Sequence, residues 1–154
     1  MTLIGAIVLL AALVLNVNQA ILHSSDNSYE SEAILTATNV AQGLLDEITS
    51  KEFDEKCVNT YVEEASGFTA PDSLGFESGE SYPNFDDIDD FDNYTRTDAT
   101  SRMGNFDSVV DVCYVDPAAP DTEVNYKSHT KRITVSVTSD YLIGTLRLNY
   151  YLSY

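Results

Sequence analysis

The chain begins with a run of 15 residues, MTLIGAIVLLAALVL, that contains no charged side chain. The whole chain of 154 residues is strongly acidic, with 25 Asp and Glu against 8 Lys and Arg and a formal net charge of −17. Such an apolar run fits four structures: an uncleaved secretion signal, a membrane anchor, a buried core helix, or the contact surface of a polymer subunit. The function depends on which of these it is.

The length and the flanks of this run argue against a permanent anchor. A helix over these residues is about 22 Å long, whereas the hydrocarbon core of a bilayer is about 30 Å thick. Extending the helix to Leu22 reaches about 33 Å but includes two asparagines and a glutamine. Residues 1–5 lack the basic residue typical of a signal peptide, and the first Lys or Arg is Lys51. We therefore expect a segment that can enter a membrane and also leave it.

The helical pattern continues well beyond the apolar run. No proline precedes Pro71, and Gly5 and Gly43 are the glycines of the first 53 residues. A polar stretch at 23–32 is followed by apolar residues at helical spacing. These are Ile34, Ala37, Ala41, Leu44, Leu45 and Ile48. The pattern predicts one helix of about 50 residues, on the order of 75 Å long. Because such a helix protrudes from its own domain, its apolar half needs a partner.

These segments resemble a known family. The sequence MTLIGAIVLLAALVLNVNQA, followed by AILTATNVAQGLLDEITSKEFDE, is similar to the mature N terminus of a bacterial type IV pilin or pseudopilin. Thr2, Leu3 and Ile4 match the family signature in place, and Met1 stands at the first position, which the family methylates. The stretches AQGLLDEI…FDE and FDDIDDFDNY are similar to the minor-pilin branch. The resemblance covers the helix closely and the globular part loosely.

Two positions depart from the family pattern. The family usually has Glu at the fifth position, where it neutralises the N-terminal amine of a neighbouring subunit, but this chain has Gly5. An uncompensated amine in an apolar core is costly, so methylation, a lowered pKa or a changed packing register has to replace the glutamate. Many pilins also carry a helix-loosening proline near the position of Leu22, and this chain has none there.

The resemblance implies an α+β fold in which a long N-terminal helix carries a C-terminal antiparallel β-sheet head. Residues 1–22 are then the apolar assembly or transmembrane half of the helix, and residues 23–53 are its amphipathic half. Residues 54–154 form the head, with a long acidic loop at 68–106. The chain is expected to be a structural subunit of an extracellular type IV pilus-like filament at the cell surface, held in the inner membrane before assembly. Its expected partners are copies of itself and the pilus assembly machinery.

The expected assembly surface consists of the N-terminal residues of the helix. They are Met1, Thr2, Leu3, Ile4, Gly5, Ile7, Val8, Leu9, Leu10, Leu13 and Val14. Two alternatives remain open. The chain is a minor pilin or secretion pseudopilin that primes or tips a filament made mainly of another subunit, or it is a membrane-tethered binding module whose helix only anchors it.

Three segments of the head have the alternating pattern of β-strands. They are residues 107–115, 131–138 and 142–154, with Ile133, Val135 and Val137 on one face of the second, and Leu146, Leu148, Tyr150 and Leu152 on one face of the third. They predict an antiparallel meander packed on the second half of the helix. The aromatic residues of the preceding loop indicate that it is ordered against a surface.

The densest group of acidic residues is NFDDIDDFDNY. Its candidate calcium ligands are Asp86, Asp87, Asp89, Asp90 and Asp92, because Ca²⁺ favours six to eight oxygen ligands. The EF-hand spacing fails, since Tyr94 takes a ligand position and no glycine follows. Two interpretations remain open: the simpler one is a solvated acidic loop held by its aromatic residues, and the other is a calcium site. Some pseudopilins that resemble this chain use calcium, so calcium is the one candidate cofactor.

The remaining reactive residues are few. In an exported protein Cys57 and Cys113 are expected to form a disulfide, and in the cytosol two buried thiols. Asn93 begins a candidate glycosylation triplet with Tyr94 and Thr95. The two histidines, His23 and His129, match no catalytic spacing and are expected to be solvated. We therefore predict no enzymatic activity, no small-molecule substrate and, given the acidic surface, no nucleic-acid partner.

Overall fold

The structure is a computed structural model that describes residues 2–154. Within helix α1 (Thr2–Thr49) it describes the side chains of residue 10, residues 12–20 and every residue from 28 onwards. Met1 lies outside the described residues, and the side chain of His23 lies outside the described side chains. For seven further residues of the expected assembly surface, the structure describes the backbone but not the side-chain surroundings. They are Thr2, Leu3, Ile4, Gly5, Ile7, Val8 and Leu9.

The two parts of α1 relate differently to the rest of the chain. The segment that belongs to the folded head is residues 28–49, a length of 22 residues. By contrast, every described side chain between residues 10 and 20 is exposed. The predicted fold, in which one N-terminal helix of about 50 residues carries the β-sheet head, is therefore wrong: the helical segment that packs with the head is 22 residues long, and the α+β class holds only loosely. The reason is that only the shorter segment has a sheet to pack against. Within the described residues, no helix has a stretch both long and apolar enough to span a bilayer.

The packed segment of α1 presents a narrow stripe of small and aliphatic side chains to the sheet. The fully or almost fully buried residues are Ala33, Ala37, Ala41, Leu44, Leu45 and Ile48. This confirms the predicted stripe except at Ile34, which is 44% exposed, because the stripe begins at Ala33 instead. Alanines at three successive turns let the helix backbone approach the strands closely.

The sheet is antiparallel and has five strands. They are β1 (Thr95–Thr100), β2 (Gly104–Asp116), β3 (Ala119–Glu123), β4 (Thr130–Thr138) and β5 (Leu146–Ser153). The order is β1-β2-β4-β5, and β3 pairs with the end of β2 beside this path. Helix α1 packs on β2, β4 and β5. The three predicted strands are confirmed as β2, β4 and β5, with shifted ends.

Two strands lie where the sequence predicts none. Strand β1 lies inside the predicted loop at 68–106, and its sequence, TRTDAT, offers no apolar side chain larger than alanine. It is held by pairing with β2 in register from Thr95 opposite Val109, and by a bond of 2.6 Å from Thr97 Oγ1 to Asp107 Oδ1. Strand β3 contains Pro120 and is exposed throughout. Neither strand buries an apolar face, so the alternation that identifies a strand is missing.

The core lies between the helix and the sheet, where Ile133, Val135 and Val137 are fully buried, as predicted. A second, smaller cluster forms beyond the end of α1 from Phe53, Cys57, Phe68 and Tyr114. The long segment between α1 and β1 contains four short 3-10 helices. It is ordered by packed rings, including Phe85 against Phe91 with centroids 5.0 Å apart. The predicted order of this segment is thus confirmed.

Candidate functional site

The acidic segment expected to bind calcium does not form one site. The segment contains a short 3-10 helix, Asp89–Phe91, and its five aspartates have different partners. Asp92 accepts two hydrogen bonds from its neighbours. Its Oδ1 accepts one from the backbone amide of Val112 at 3.0 Å, and its Oδ2 accepts one from the side-chain Nδ2 of Asn93 at 2.6 Å. Asp89 faces Lys131. Only Asp86, Asp87 and Asp90 take part in groups of carboxylates.

Asp87 and Asp90 orient each other across this turn. The amide of Asp90 donates to Asp87 Oδ1 at 3.1 Å, and the amides of Asp86 and Asp87 donate to Asp90 Oδ2 at 2.9 and 3.2 Å. Both side chains are fully buried. Among the described atoms, Asp87 Oδ2 and Asp90 Oδ1 have no hydrogen-bond partner. The alternative of a solvated acidic loop is therefore wrong for these two residues and for Asp89, which is also buried.

Lys131 is the centre of a buried polar group that we call the lysine cluster: Lys131, Asp54, Asp89 and Tyr114. The Lys131 ammonium donates to Asp89 Oδ1 at 2.5 Å, to Asp54 Oδ2 at 3.1 Å and to the carbonyl of Phe53 at 2.7 Å. It also lies 4.4 Å from the centroid of the Phe53 ring and 5.0 Å from that of Tyr114. This cluster ties β4 to the chain that leaves α1 and to the acidic segment.

Asp54 is the best-satisfied carboxylate of the lysine cluster. It accepts from Tyr114 Oη at 3.0 Å, from the Thr69 amide at 2.9 Å and hydroxyl at 3.0 Å, and from the Lys56 amide at 3.1 Å. Burial by itself would raise the pKa of Asp54, but the charge of Lys131 and these hydrogen bonds lower it. The fold therefore holds Asp54 ionised.

The surroundings of Asp89 favour its ionised form less than those of Asp54 do. Burial raises its pKa to about 7, although the charge and hydrogen bond of Lys131 lower it, and the Asp54 carboxylate raises it further. Burial also raises the pKa of the Tyr114 hydroxyl, with the charge of Asp54 as the next cause. One lysine thus serves two buried carboxylates, and Asp54 takes the larger share of hydrogen bonds. The cluster is suited to holding segments together.

A second acidic group contains no cation. We call it the carboxylate cluster: Glu77, Glu80 and Asp90, whose donor oxygens all lie within 4.8 Å of one another. Burial, followed by hydrogen bonding with Glu80, raises the pKa of Glu77 to about 7. Burial also raises the pKa of Asp90. Among the side chains that the structure describes, no ion pair includes any of the three.

A neighbouring trio repeats this arrangement. Glu55, Asp86 and Asp87 also place donor oxygens within 4.8 Å of one another. Burial, then the charges of Asp89 and Asp90, raise the pKa of Asp87 to about 8. The charge of Asp86 raises the pKa of Glu55 after burial does. The two groups lie close enough for the charges of Glu80 and Asp90 to raise the pKa of Glu55 as well.

Sequence reasoning missed Glu55, Glu77, Glu80 and Lys131. The three glutamates lie outside the dense aspartate run in the sequence, so the spacing within that run does not predict their contribution. Lys131 did leave a signal, because it has the same parity as Ile133 and Val135 along β4. A lysine at an inward position of a strand requires a buried acidic partner.

Cys57 and Cys113 are free, buried thiols and do not form the predicted disulfide. Cys57 packs with Tyr114, the neighbour of Cys113 in β2. Successive side chains of a strand point to opposite faces, so Cys113 points away from Cys57 and lies opposite Arg132 in the adjacent strand. Burial raises the pKa of the Cys113 thiol to about 11.

Two other predicted positions have clear surroundings. Asn93 is exposed, as glycosylation requires, and its backbone φ is 58°. His129 is not simply solvated, because its ring packs edge-on against Phe68, with centroids 5.3 Å apart, and stacks on Tyr154 at 6.5 Å. That expectation is wrong in part, because His129 is half-buried and contacts Phe68, a member of the second hydrophobic cluster.

Three residues of the expected assembly surface have described side chains: Leu10, Leu13 and Val14, which are 67%, 63% and 51% exposed. Leu15 and Val17 in the same part of α1 are exposed to a similar degree. Five aliphatic side chains within eight residues thus form an apolar surface that no described side chain covers.

No protein-family profile, curated protein or solved structure matches this chain.

Proposed function

We propose that this chain is the structural subunit of an extracellular type IV pilus-like filament, and that it polymerises through its N-terminal apolar segment. The observation that supports this most directly is the apolar surface around Leu13, which no part of the head covers. Large exposed apolar patches on a protein are characteristic of interaction surfaces. The order of residues MTLIGAIVLL, which resembles a pilin N terminus, is the second support.

Association of such segments with each other removes the exposed apolar surface from water. Fully burying one aliphatic side chain contributes about 1.5–3 kcal/mol, so a few leucines and valines per chain are enough to drive association. Before assembly the same segment resides in the inner membrane. Moving it from lipid into a helix bundle is nearly balanced, because both surroundings are apolar, so assembly machinery can shift the equilibrium. The head then forms the outer wall of the filament.

The test is a single charge in the apolar surface. Leu13→Asp is expected to abolish filaments sheared from the surface of the native cells and viewed by electron microscopy, because a buried carboxylate in the bundle is costly. The matched control is Ile143→Asp, which places the same acid at an apolar side chain of the head that is 88% exposed. This control is expected to keep its filaments.

Three other outcomes distinguish the alternatives. Filaments that survive Leu13→Asp would contradict the proposal. Wild-type chain that is found only as monomer in membranes, with the head still binding a ligand, would indicate a tethered binding module. Immunogold labelling confined to filament ends would indicate a minor pilin or pseudopilin that primes or tips a filament of another subunit.

A further inference from the structure

We propose that Glu77, Glu80 and Asp90 bind one calcium ion. Each offers a carboxylate oxygen, and the three oxygens lie within 4.8 Å of one another, close enough to be bridged by a single cation. Ca²⁺ is bound at about 2.3–2.6 Å by oxygen ligands, so two ligand oxygens of one ion are separated by at most about 5 Å. The site does not depend on filament formation.

Asp90 supplies the observation that distinguishes this group from an ordinary acidic loop. Its side chain is fully buried, and its Oδ2 is held by the amides of Asp86 and Asp87. The other oxygen, Oδ1, has no hydrogen-bond partner among the described atoms, although the carboxylate lies beside the two glutamates. A buried carboxylate oxygen without a partner is expensive, because water no longer solvates it and no donor replaces the water. A cation between Asp90 and the glutamates removes that cost.

Glu77 repeats the pattern from the other side of the site. Its Oε2 is buried and has no hydrogen-bond partner among the described atoms. The loop that carries both glutamates turns at Gly75 and Gly79, whose φ angles are 123° and 109°, a region that favours glycine. The amide of Glu80 donates to the carbonyl of Glu77 at 3.1 Å, which closes the turn between them. Both glutamates are thereby directed at Asp90.

No described ion pair offsets the charge of this site. Two lysines that contact the acidic segment or its neighbours are used elsewhere: Lys51 donates to the carbonyl of Phe85, and Lys131 to Asp54 and Asp89. The charge of Glu55, from the adjoining trio, also acts on Glu77 at short range. These carboxylates strengthen the field that attracts a divalent cation, whereas no described ammonium or guanidinium group competes for the three ligands.

The donor set favours calcium over other metals. All three ligands are carboxylates, and neither histidine nor cysteine belongs to the group, so zinc lacks its preferred donors. Calcium accepts irregular geometry and completes its coordination with carbonyls and water, whereas magnesium demands near-ideal octahedral geometry. A site built from a turn and a short 3-10 helix is better suited to the more tolerant ion.

The experiment measures calcium binding to the full chain in mild detergent after removal of metal with a chelator. Isothermal titration with CaCl₂ is expected to show one ion per chain with a Kd below about 1 mM. The double variant Glu77→Gln/Glu80→Gln is expected to weaken binding at least about tenfold, because it removes two anionic ligands. The matched control is Glu63→Gln/Glu64→Gln, which makes the same charge change at two exposed glutamates and is expected to bind like the wild type.

Two results would overturn the proposal. One is the absence of saturable binding by the wild-type chain up to several times the expected Kd. The other is equal weakening in both double variants, which would mean that calcium only screens the acidic surface. Far-ultraviolet circular dichroism of the metal-free variants checks that the folded state is retained, and glutamine preserves the size of each side chain so that the comparison stays valid.

Discussion

The lysine cluster and the carboxylate cluster contain neighbouring residues of the same acidic segment but balance their charge differently. Asp89 lies in the lysine cluster, where the Lys131 ammonium contacts it and Asp54. Asp90, the next residue, lies in the carboxylate cluster with two further acids and no cation from the chain. The 3-10 turn separates the two side chains, because consecutive residues point in different directions around it.

The difference shows how similar residues come to do different work. In the lysine cluster, the Lys131 ammonium offsets negative charge from within the fold, so those groups stabilise the head and hold its segments together. In the carboxylate cluster, no described ammonium or guanidinium group pairs with the acids, which is the basis for the proposed calcium site. If this comparison is correct, removing charge from the two clusters should change stability in opposite directions.

The largest effect is expected from Lys131→Met. This change leaves Asp54 and Asp89 buried without a cation, and breaking a buried ion pair from one side costs about 3–5 kcal/mol. Urea denaturation of the full chain in mild detergent measures the loss. The control is Lys127→Met, which removes only a bond from an exposed ammonium to the carbonyl of Ser66 and is expected to cost under about 1 kcal/mol. Equal losses would show that Lys131 is not a special support of the fold.

A smaller effect is expected from Tyr114→Phe. The hydroxyl of Tyr114 donates within the lysine cluster, where Asp54 Oδ2 lies at 3.0 Å and the carbonyl of Thr69 at 2.9 Å. Its removal is expected to cost about 1–3 kcal/mol, because a buried charged acceptor loses a donor while the ring keeps its packing. The exposed Tyr126, changed to Phe in the same way, is the reference in the same denaturation experiment. A loss no larger than the reference would mean that the other donors fully satisfy Asp54.

The smallest effect should have the opposite sign. In metal-free protein, Glu77→Gln/Glu80→Gln is expected to raise stability by about 0.5–1 kcal/mol, because it relieves repulsion among neighbouring carboxylates. The melting temperature should rise by about 1–4 °C. Glu63→Gln/Glu64→Gln, at exposed positions, should change it less. A lower melting temperature than that of the wild type would contradict the contrast between the clusters.

The features of the fold that sequence reasoning predicted correctly share one physical cause. The stripe from Ala37 to Ile48 and the face of Ile133, Val135 and Val137 repeat with the periods of a helix and a strand, because burial selects apolar residues on one side. Strands β1 and β3 lack such a face and exist because β2 offers them backbone partners. Their pairing is a property of the assembled sheet and left no pattern in their own residues.

The candidate sites were predicted less well for a related reason. A local count of aspartates found the acidic segment but could not divide it into groups. The division depends on a turn at Asp89–Phe91, on glutamates about ten residues away and on a lysine 42 residues beyond Asp89. Likewise, the predicted disulfide assumed that two cysteines find each other, whereas strand alternation in β2 turns Cys113 away from Cys57.

The order of residues alone determines the helix stripe and the three strands that are buried, and it identifies the N-terminal run as free of charge. Hydrophobic burial is non-directional and selects apolar residues at the period of a helix or a strand. It can therefore be predicted from the order of residues. Tertiary structure alone decides which charges meet, because ion pairing and ligand geometry depend on distances between residues far apart in the chain. That is why the acidic segment was visible from the start, whereas the separation of Asp89 from Asp90 became apparent only in three dimensions.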